Sequence, residues 1–299
     1  MSFITIFTAT KPFTDPHINT IQRNAIQSWL HLEGVQVLLF GNEAGMAEVA
    51  AEYGIRHYPG VPCTETGAPL ISAMFQTARS ETDSDLLMIV NADILLMPDL
   101  LEACRQVMSL EYRFLLLSQR WDLDVREPLD FSNGWVERLK NRLDSQGVVH
   151  PPLGSDYFIV PRDCFTDIPD FAIGRSGWDN WMIYHAMEQG MPAVDISPTA
   201  MVVHQNHDYS HLPGGKPPYH MAESDRNRAL AGGRKNLYLI LDTNTQLVQG
   251  RLARAPMSTA RLLRKIELSL YPKKGNLRGW RRLVVRRLRR MRRDIDQGA

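Results

Sequence analysis

Residues 85–93 read DLLMIVNAD, a run of five apolar residues that ends on two polar side chains, Asn91 and Asp93. Such a run predicts a strand that is buried on both faces. Asn91 and Asp93 would then emerge together at the carboxyl edge of a sheet, which is where open α/β sheets bind ligands. The alternative interpretation is that both residues start a turn and cap the next segment.

Predicted strands and helices alternate around this stretch, and the links between them are short. Before residue 120 we predict strands at 3–8, 35–40, 55–58 and 86–90, and helices that begin near Pro16, Met46, Leu70 and Pro98. This order predicts an α/β protein with a mostly parallel, doubly wound central sheet flanked by helices. The second half is less regular: we predict strands at 114–118, 157–160 and 200–204 and a helix at 178–189.

The composition is that of an ordinary globular protein, but its charge is unevenly distributed. The 299 residues carry a net charge of +1, and 44% of them are apolar, enough for one large core. Residues 251–299 hold 16 Lys and Arg against 3 Asp and Glu, which leaves 18 against 30 in residues 1–250. We therefore expect an acidic body, residues 1–250, and a basic tail, residues 251–299.

Features of the sequence argue against several other classes of protein. The N-terminus lacks the features of a secretory signal, and no run reaches the roughly 18 apolar residues of a membrane span. The three cysteines form neither a disulfide pattern nor a metal-binding pattern, so we expect a cytoplasmic protein. No Gly-x-Gly-x-x-Gly or Walker A sequence supports a dinucleotide-binding protein or an ATP hydrolase.

The basic tail has the pattern of amphipathic helices with cationic faces. Apolar residues recur there every three or four positions: Leu262, Ile266 and Leu270, then Leu277, Trp280, Val284, Leu288, Met291 and Ile295. This pattern favours peripheral attachment to an anionic membrane surface, on the inner face of the membrane. The alternatives are a solvated tail or a tail docked on the acidic body. Nucleic-acid binding is not expected, because stacking aromatics are scarce.

Two acidic motifs carry candidate chemistry. Asp93, at a strand end, can ligate a hard divalent cation, and Asn91 can hold a ribose hydroxyl or a metal-bound water. Asp179 lies between Trp178 and Trp181 at a predicted helix start, where it can act as a general base beside sugar-stacking indoles. An N-terminal helix cap with packed indoles is the alternative there. A literal Asp-x-Asp at residues 122–124 follows a polar stretch, so we rank it second and expect a surface loop.

The order of elements and the position of Asn91-Ala92-Asp93 resemble the GT-A family of nucleotide-diphosphosugar glycosyltransferases. That family has a Rossmann-like half that ends in an Asp-x-Asp motif on a central strand. The resemblance implies that Asp93 binds a divalent metal, Mn²⁺ or Mg²⁺, on the donor diphosphate, and that Asn91 contacts the donor. Residues 171–181 resemble the Gly- and Trp-rich acidic motif near the acceptor, which implies that Asp179 deprotonates the acceptor hydroxyl.

The same resemblance implies further site residues. His204, at the end of a late strand, would complete the metal shell, with His207 a weaker candidate and His211 a loop residue. A zinc site made of these three histidines lacks a fourth ligand, and a polar loop is the alternative. Thr8 and Thr10 would contact the nucleoside, and Asp156 would bind acceptor hydroxyls or form a turn.

We therefore predict a GT-A-like domain at residues 1–250, with a nucleotide-sugar half at 1–120, an acceptor half at 121–250, and a basic helical tail at 251–299. Its predicted activity is metal-assisted transfer of a sugar from a nucleotide-diphosphosugar to a hydroxyl of a sugar or glycan acceptor, with inversion; retention is the alternative. The rival hypothesis is an inactive sugar- or nucleotide-binding scaffold of the same fold, which the Asn at position 91 favours.

Overall fold

The structure is a computed structural model and describes residues 2–208, 221–272 and 277–297. The strands in this part of the chain are β1 (Ile4–Thr8), β2 (Val35–Phe40), β3 (Arg56–Tyr58), β4 (Leu86–Val90), β5 (Ile94–Leu96), β6 (Leu115–Leu117), β7 (Trp121–Leu123), β8 (Val148–Val149), β9 (Tyr157–Pro161), β10 (Ala193–Asp195), β11 (Val202–Gln205), β12 (Thr245–Val248) and β13 (Arg251–Arg254). The α-helices are α1 (Pro16–Leu30), α2 (Met46–Tyr53), α3 (Ile71–Glu81), α4 (Pro98–Leu110), α5 (Trp135–Gln146), α6 (Trp178–Glu188), α7 (Ala222–Leu230), α8 (Thr259–Leu270) and α9 (Gly279–Gln297).

Nine strands form the central sheet, in the order β13-β12-β10-β6-β9-β4-β1-β2-β3. Seven of them run in one direction, while β9, between β4 and β6, and β13, at the edge, run in the other. The predicted α/β fold with a mostly parallel central sheet flanked by helices is therefore confirmed.

The central strand β4 is buried on both faces, as its apolar run predicts. Leu86, Met88 and Val90 pack into one hydrophobic core, and Leu87 and Ile89 pack into a second core on the opposite face. Helices α1 and α4 cover the first core, and helices α3 and α6 cover the second. Because both faces are filled by side chains, ligands have access to β4 only at its ends.

The first helix begins where the sequence predicts. The Asp15 side chain accepts a hydrogen bond of 2.9 Å from the backbone N–H of Ile18, and Pro16 occupies the first helical position. Such a cap satisfies an N–H that has no partner inside the helix. This local signal fixes the start of α1, and therefore the length of the loop that leaves β1.

A second sheet, in the order β5-β11-β7-β8, lies beyond the carboxyl end of β4. Of its strands only β11 was predicted. Its register places His204 opposite Ile94 on β5 and opposite Asp122 on β7. Since Ile94 follows Asp93 directly, this small sheet brings three distant segments of the chain to the edge of the central sheet.

The chain continues into the central sheet past the boundary that we predicted at residue 250. Arg251–Arg254 forms β13, which pairs with β12, and α8 then docks on the body. Arg261 of α8 donates hydrogen bonds to the carbonyls of Leu241 and Thr243, and Arg264 pairs with Asp242 at 2.9 Å. Helix α8 is thus docked on the body. No helix in the described ranges is long and apolar enough to cross a membrane.

Candidate functional site

A candidate metal centre lies where β4 ends and the small sheet begins. One carboxylate oxygen of Asp93 and one ring nitrogen each of His204 and His207 lie within 4.8 Å of one another. Asp93 is only 7% exposed, and its Oδ1 has no hydrogen-bond partner among the described residues. A buried carboxylate oxygen without a partner costs free energy, so these three side chains fit a bound cation.

Lys11 places a positively charged ammonium group at this centre. Its Nζ lies 3.2 Å from Asp93 Oδ2 and 2.8 Å from His207 Nε2, and the same Asp93 oxygen lies 3.0 Å from His207 Nε2. Burial would raise the pKa of Asp93, but Lys11 and the two histidines outweigh it and hold that pKa well below its usual value. Asp93 is therefore an anion, as metal binding requires.

A second polar network borders the metal centre. Asn91 Nδ2 donates a hydrogen bond of 2.9 Å to Asp156 Oδ1, and Arg120 Nη1 pairs with Asp156 Oδ2 at 2.6 Å. Arg120 Nε also pairs with Asp122 at 2.9 Å, and His150 Nδ1 lies 2.7 Å from the other oxygen of Asp122. Both oxygens of Asp156 are bonded to side chains, so the network holds this carboxylate in a fixed orientation.

Asp122 links the two clusters. Its Oδ1 lies 3.2 Å from Nδ1 of His204. Burial lowers the pKa of His204, but Asp122 and the charge of Asp93 outweigh it and raise that pKa. Burial likewise opposes the ionised form of Asp122, but His150, His204 and Arg120 lower its pKa well below the usual value. The surface loop that we expected at residues 122–124 is thus wrong for Asp122, which lies on β7 beside the site, while Asp124 is exposed.

Asp179 lies in the first turn of α6, next to the second network. Its Oδ1 accepts a hydrogen bond of 3.1 Å from the N–H of Gly177, which caps the helix with φ +113°. Burial raises the pKa of Asp179; three backbone N–H groups oppose this rise, and the charge of Asp156 adds to it. A Cβ on Gly154 would lie 3.6 Å from Asp179 Oδ2, so Gly154 lies directly beside the carboxylate.

The two tryptophans that flank Asp179 belong to the core. Trp178 and Trp181 are each 6% exposed. Trp178 packs edge-on against Phe158 at 5.7 Å, and Trp181 stacks on His185 at 4.3 Å between ring centroids. Their ring faces are covered by protein, so this structure does not offer them to a sugar. The structure thus contains the packed indoles that we gave as part of the alternative interpretation.

The two threonines after β1 differ in their surroundings. Thr8 donates a hydrogen bond of 2.6 Å to the carbonyl of Val90, which ties β1 to β4. The hydroxyl of Thr10 is buried and has no hydrogen-bond partner in the described part of the chain. Thr10 thus keeps a hydroxyl available for a ligand, whereas the Thr8 hydroxyl is used within the sheet.

We did not predict Lys11, Arg120 and His150 as members of this site from the sequence. His211, which we predicted to be a loop residue, lies outside the described residues. A usable signal did exist for Arg120. It follows the apolar stretch 114–117 through Ser118 and Gln119, which is the same change from apolar to polar that singled out Asn91. Lys11 likewise follows β1 within three residues.

No family model and no curated protein matches the sequence. The chain is similar to the solved structure of glucosyl-3-phosphoglycerate synthase from Mycobacterium tuberculosis in complex with Mn²⁺, uridine-diphosphate and phosphoglyceric acid. The identity is 16% and the TM-score 0.46, over 86% of this chain and 88% of that chain. S. aureus TarS 1-349 in complex with UDP-GlcNAc aligns at 12% identity and a TM-score of 0.31, over 42% of this chain and 36% of that chain. At these values, function has to be argued from the residues of the site.

Proposed function

We propose that this chain is a metal-assisted glycosyltransferase that moves a sugar from a nucleotide-diphosphosugar to an acceptor hydroxyl. One observation carries the proposal: Asp93, at the carboxyl end of the central strand, has a buried oxygen without a partner and lies within 4.8 Å of two imidazole nitrogens. That edge of an open α/β sheet is the usual place for a nucleotide.

The donor set favours Mn²⁺ over Mg²⁺ as the cation. Carboxylates suit both ions, but imidazole nitrogens suit transition metals better than they suit Mg²⁺. Asp93, His204 and His207 would hold the ion, and its chemistry would be to neutralise the charge that develops on the departing diphosphate. Lys11, beside the same carboxylate, would contribute a second positive charge on that side of the donor.

The donor would be oriented by residues at the ends of β1 and β4. The Thr10 hydroxyl is free to bond a nucleoside hydroxyl, and Asn91 uses its amide nitrogen for Asp156, which leaves its amide oxygen for the donor. The hydrogen bond between Asn91 and Asp156 also holds Asp156 in place at the border of the site. The substitution of Asn for the first Asp of the family motif therefore gives this chain a hydrogen-bond donor that an ionised aspartate lacks.

Asp179 would take the proton of the acceptor hydroxyl. Its partly buried position and raised pKa make it a stronger base than an exposed aspartate, and the absence of a side chain at Gly154 leaves space next to its Oδ2. As the acceptor oxygen attacks the anomeric carbon, its proton would pass to Asp179 and the bond to the diphosphate would break, with inversion at that carbon. In this scheme residues 1–120 bind the donor and the following segment binds the acceptor.

A thermal-shift screen tests this proposal and separates it from the rival hypothesis of an inactive scaffold. UDP-, GDP- and CMP-sugars are each added with Mn²⁺ and with EDTA. We expect at least one donor to stabilise the wild-type chain only with Mn²⁺, and Asp93→Asn to abolish the effect. Release of free sugar or nucleoside diphosphate from that donor would support an enzyme, whereas stabilisation without any turnover would support the scaffold. No metal-dependent stabilisation by any donor would overturn the proposal.

We also propose that α8 and α9 rest on an anionic membrane surface. Helix α8 buries Arg261 and Arg264 against the body and leaves Leu262 and Ile266 exposed. The apolar face of this amphipathic helix therefore points away from the core. On α9, an exposed set of apolar residues lies among many arginines: Trp280, Leu283, Val284, Met291 and Ile295. Exposed apolar residues among cationic ones are typical of helices that lie in a membrane interface.

Vesicle flotation tests this attachment with point variants. A truncation after Gly250 would remove β13 from the sheet as well, so it is not a clean test. We expect the wild-type chain to float with vesicles that contain phosphatidylserine, and Trp280→Ser/Leu283→Ser to remain behind. Leu110→Ser, which changes an exposed leucine on α4, is the control and should float. Equal flotation of all three proteins would remove the membrane proposal.

A further inference from the structure

An arginine-lined cavity of about 700 Å³ separates α9 from the acceptor half of the body. Its walls include Leu153 and Asn180. Leu153 precedes Gly154, which faces the carboxylate of the proposed base Asp179, and Asn180 follows Asp179 in the chain. The cavity therefore begins beside the place where we put the acceptor hydroxyl. A smaller cavity of about 430 Å³ shares Arg234, Arg286 and Arg289 with it.

The charge of this cavity is far from balanced. Seven arginines line it, and Glu267 is the only acidic residue among the described residues of its wall. Glu267 pairs with Arg264, Arg289 and Arg292 at 2.7–2.9 Å, and Arg264 also pairs with Asp242 at 2.9 Å, so two carboxylates serve three guanidinium groups.

The remaining four arginines of the wall are Arg234, Arg286, Arg290 and Arg293, and none of them forms an ion pair within the described ranges. Arg292 adds an independent observation. It is 5% exposed, it lines the cavity, and its Nε has no hydrogen-bond partner in the parts of the chain that the structure describes. A buried guanidinium N–H without an acceptor costs free energy unless a ligand supplies one.

We propose that this cavity binds the phosphate or diphosphate group of the acceptor, so that the acceptor is an anionic, phosphate-bearing molecule. Guanidinium groups bind phosphate oxygens through paired, charge-assisted hydrogen bonds, and several of them together are suited to a group with two or more negative charges. With its phosphate among these arginines, the acceptor would present a hydroxyl at the Asp179 end of the cavity. The identification of the bound molecule as the acceptor rests on the proposed transferase function. The anion site itself does not depend on that function.

Binding of inorganic pyrophosphate to the full chain, measured by calorimetry in EDTA, tests the site. EDTA removes divalent metal, so the metal centre cannot hold the probe. We expect wild type to bind and Arg286→Gln/Arg290→Gln to lose about tenfold in affinity for each arginine removed. Arg281→Gln/Arg287→Gln removes the same charge from exposed positions of α9 outside both cavity walls, and it should bind as wild type does. All four positions are exposed, so both variants should fold, and melting curves without the probe check this.

Two further arms identify the source of the phosphate and separate this proposal from the transferase proposal. Dihexanoyl phosphatidic acid, used as single molecules rather than vesicles, is the lipid probe; tighter binding than pyrophosphate indicates a lipid phosphate, and weaker binding indicates a soluble one. Asp93→Asn should keep its pyrophosphate binding in EDTA even if it loses every response to a nucleotide sugar. Loss of pyrophosphate binding in Asp93→Asn, equal losses in the two arginine pairs, or no binding by wild type would each overturn the cavity assignment.

Discussion

Replacing Lys11 by methionine tests the electrostatics of the metal centre. Lys11 Nζ lies 3.2 Å from Asp93 Oδ2, and the lysine side chain is 25% exposed. At that distance, the Coulomb attraction is about 5 kcal/mol for an effective dielectric constant of about 20. Desolvation and solvent screening offset most of it, which leaves a net stabilisation of about 1–2 kcal/mol.

We expect Lys11→Met to have two opposite effects. Without metal, the free energy of unfolding should fall by about 1–2 kcal/mol, because the buried charge of Asp93 loses its nearest partner. With Mn²⁺, the affinity for the ion should rise about tenfold, because the ion no longer competes with an ammonium group for the same carboxylate. Nucleotide-sugar affinity should not rise in parallel, since the lysine charge beside the donor diphosphate is also removed.

Urea denaturation in EDTA measures the first effect, and calorimetric titration with Mn²⁺ measures the second. Lys140→Met is the matched control, because Lys140 also faces an aspartate, Asp99 at 3.8 Å, but lies outside the site. It should change the Mn²⁺ affinity by less than about twofold. A folded Lys11→Met chain that binds Mn²⁺ no better than wild type would refute the view that Lys11 and the metal share Asp93.

Further predictions concern single side chains. Thr8→Val should lower the free energy of unfolding by about 1 kcal/mol, because a buried hydrogen bond between strands is lost. Thr10→Val should leave stability unchanged but weaken nucleotide-sugar binding, and denaturation together with donor titration distinguishes the two variants. Because burial raises the pKa of Asp179 above its ordinary 3.8, and a base acts only when ionised, transfer should be lost as the pH falls through that raised pKa; a pH–rate profile whose acid limb lies at or below 3.8 would contradict this. Glu267→Gln should cost about 3–5 kcal/mol, since it leaves the buried guanidinium group of Arg292 without a counter-charge, whereas Glu102→Gln in an exposed pair should cost under about 1 kcal/mol in the same urea titration.

The central sheet was predictable because its signals are local. The apolar run 86–90 is buried on both faces, Asp15 caps α1, and Gly54 ends α2 with φ +65°. Apart from β11, the small sheet gave no such signal. Its strands are two to four residues long, and its register joins His204 to Ile94 and Asp122, contacts between segments that are far apart in the chain. Periodicity over a short window carries no information on such pairings.

The candidate site was predicted in part, for the same reason. Asp93 was selected from its position at a strand end and His204 from the resemblance to the GT-A family, and the structure places them in one cluster. The roles of the two tryptophans were not predictable, because the sequence places an aromatic ring on a helix but does not say what covers it. Lys11 and Arg120 lie on connections between elements, where no periodicity marks a residue as facing a site.

The most direct measurement is a crystal structure of the chain soaked with Mn²⁺ and the nucleoside diphosphate that stabilises it most in the thermal-shift screen, with data collected for the anomalous signal of manganese. The account predicts one manganese peak coordinated by Asp93 Oδ1 and by His204 or His207, with the diphosphate on the open side of the ion and Lys11 displaced from Asp93. A diphosphate bound elsewhere, or the absence of manganese at Asp93 in a crystal that contains the nucleotide, would contradict it.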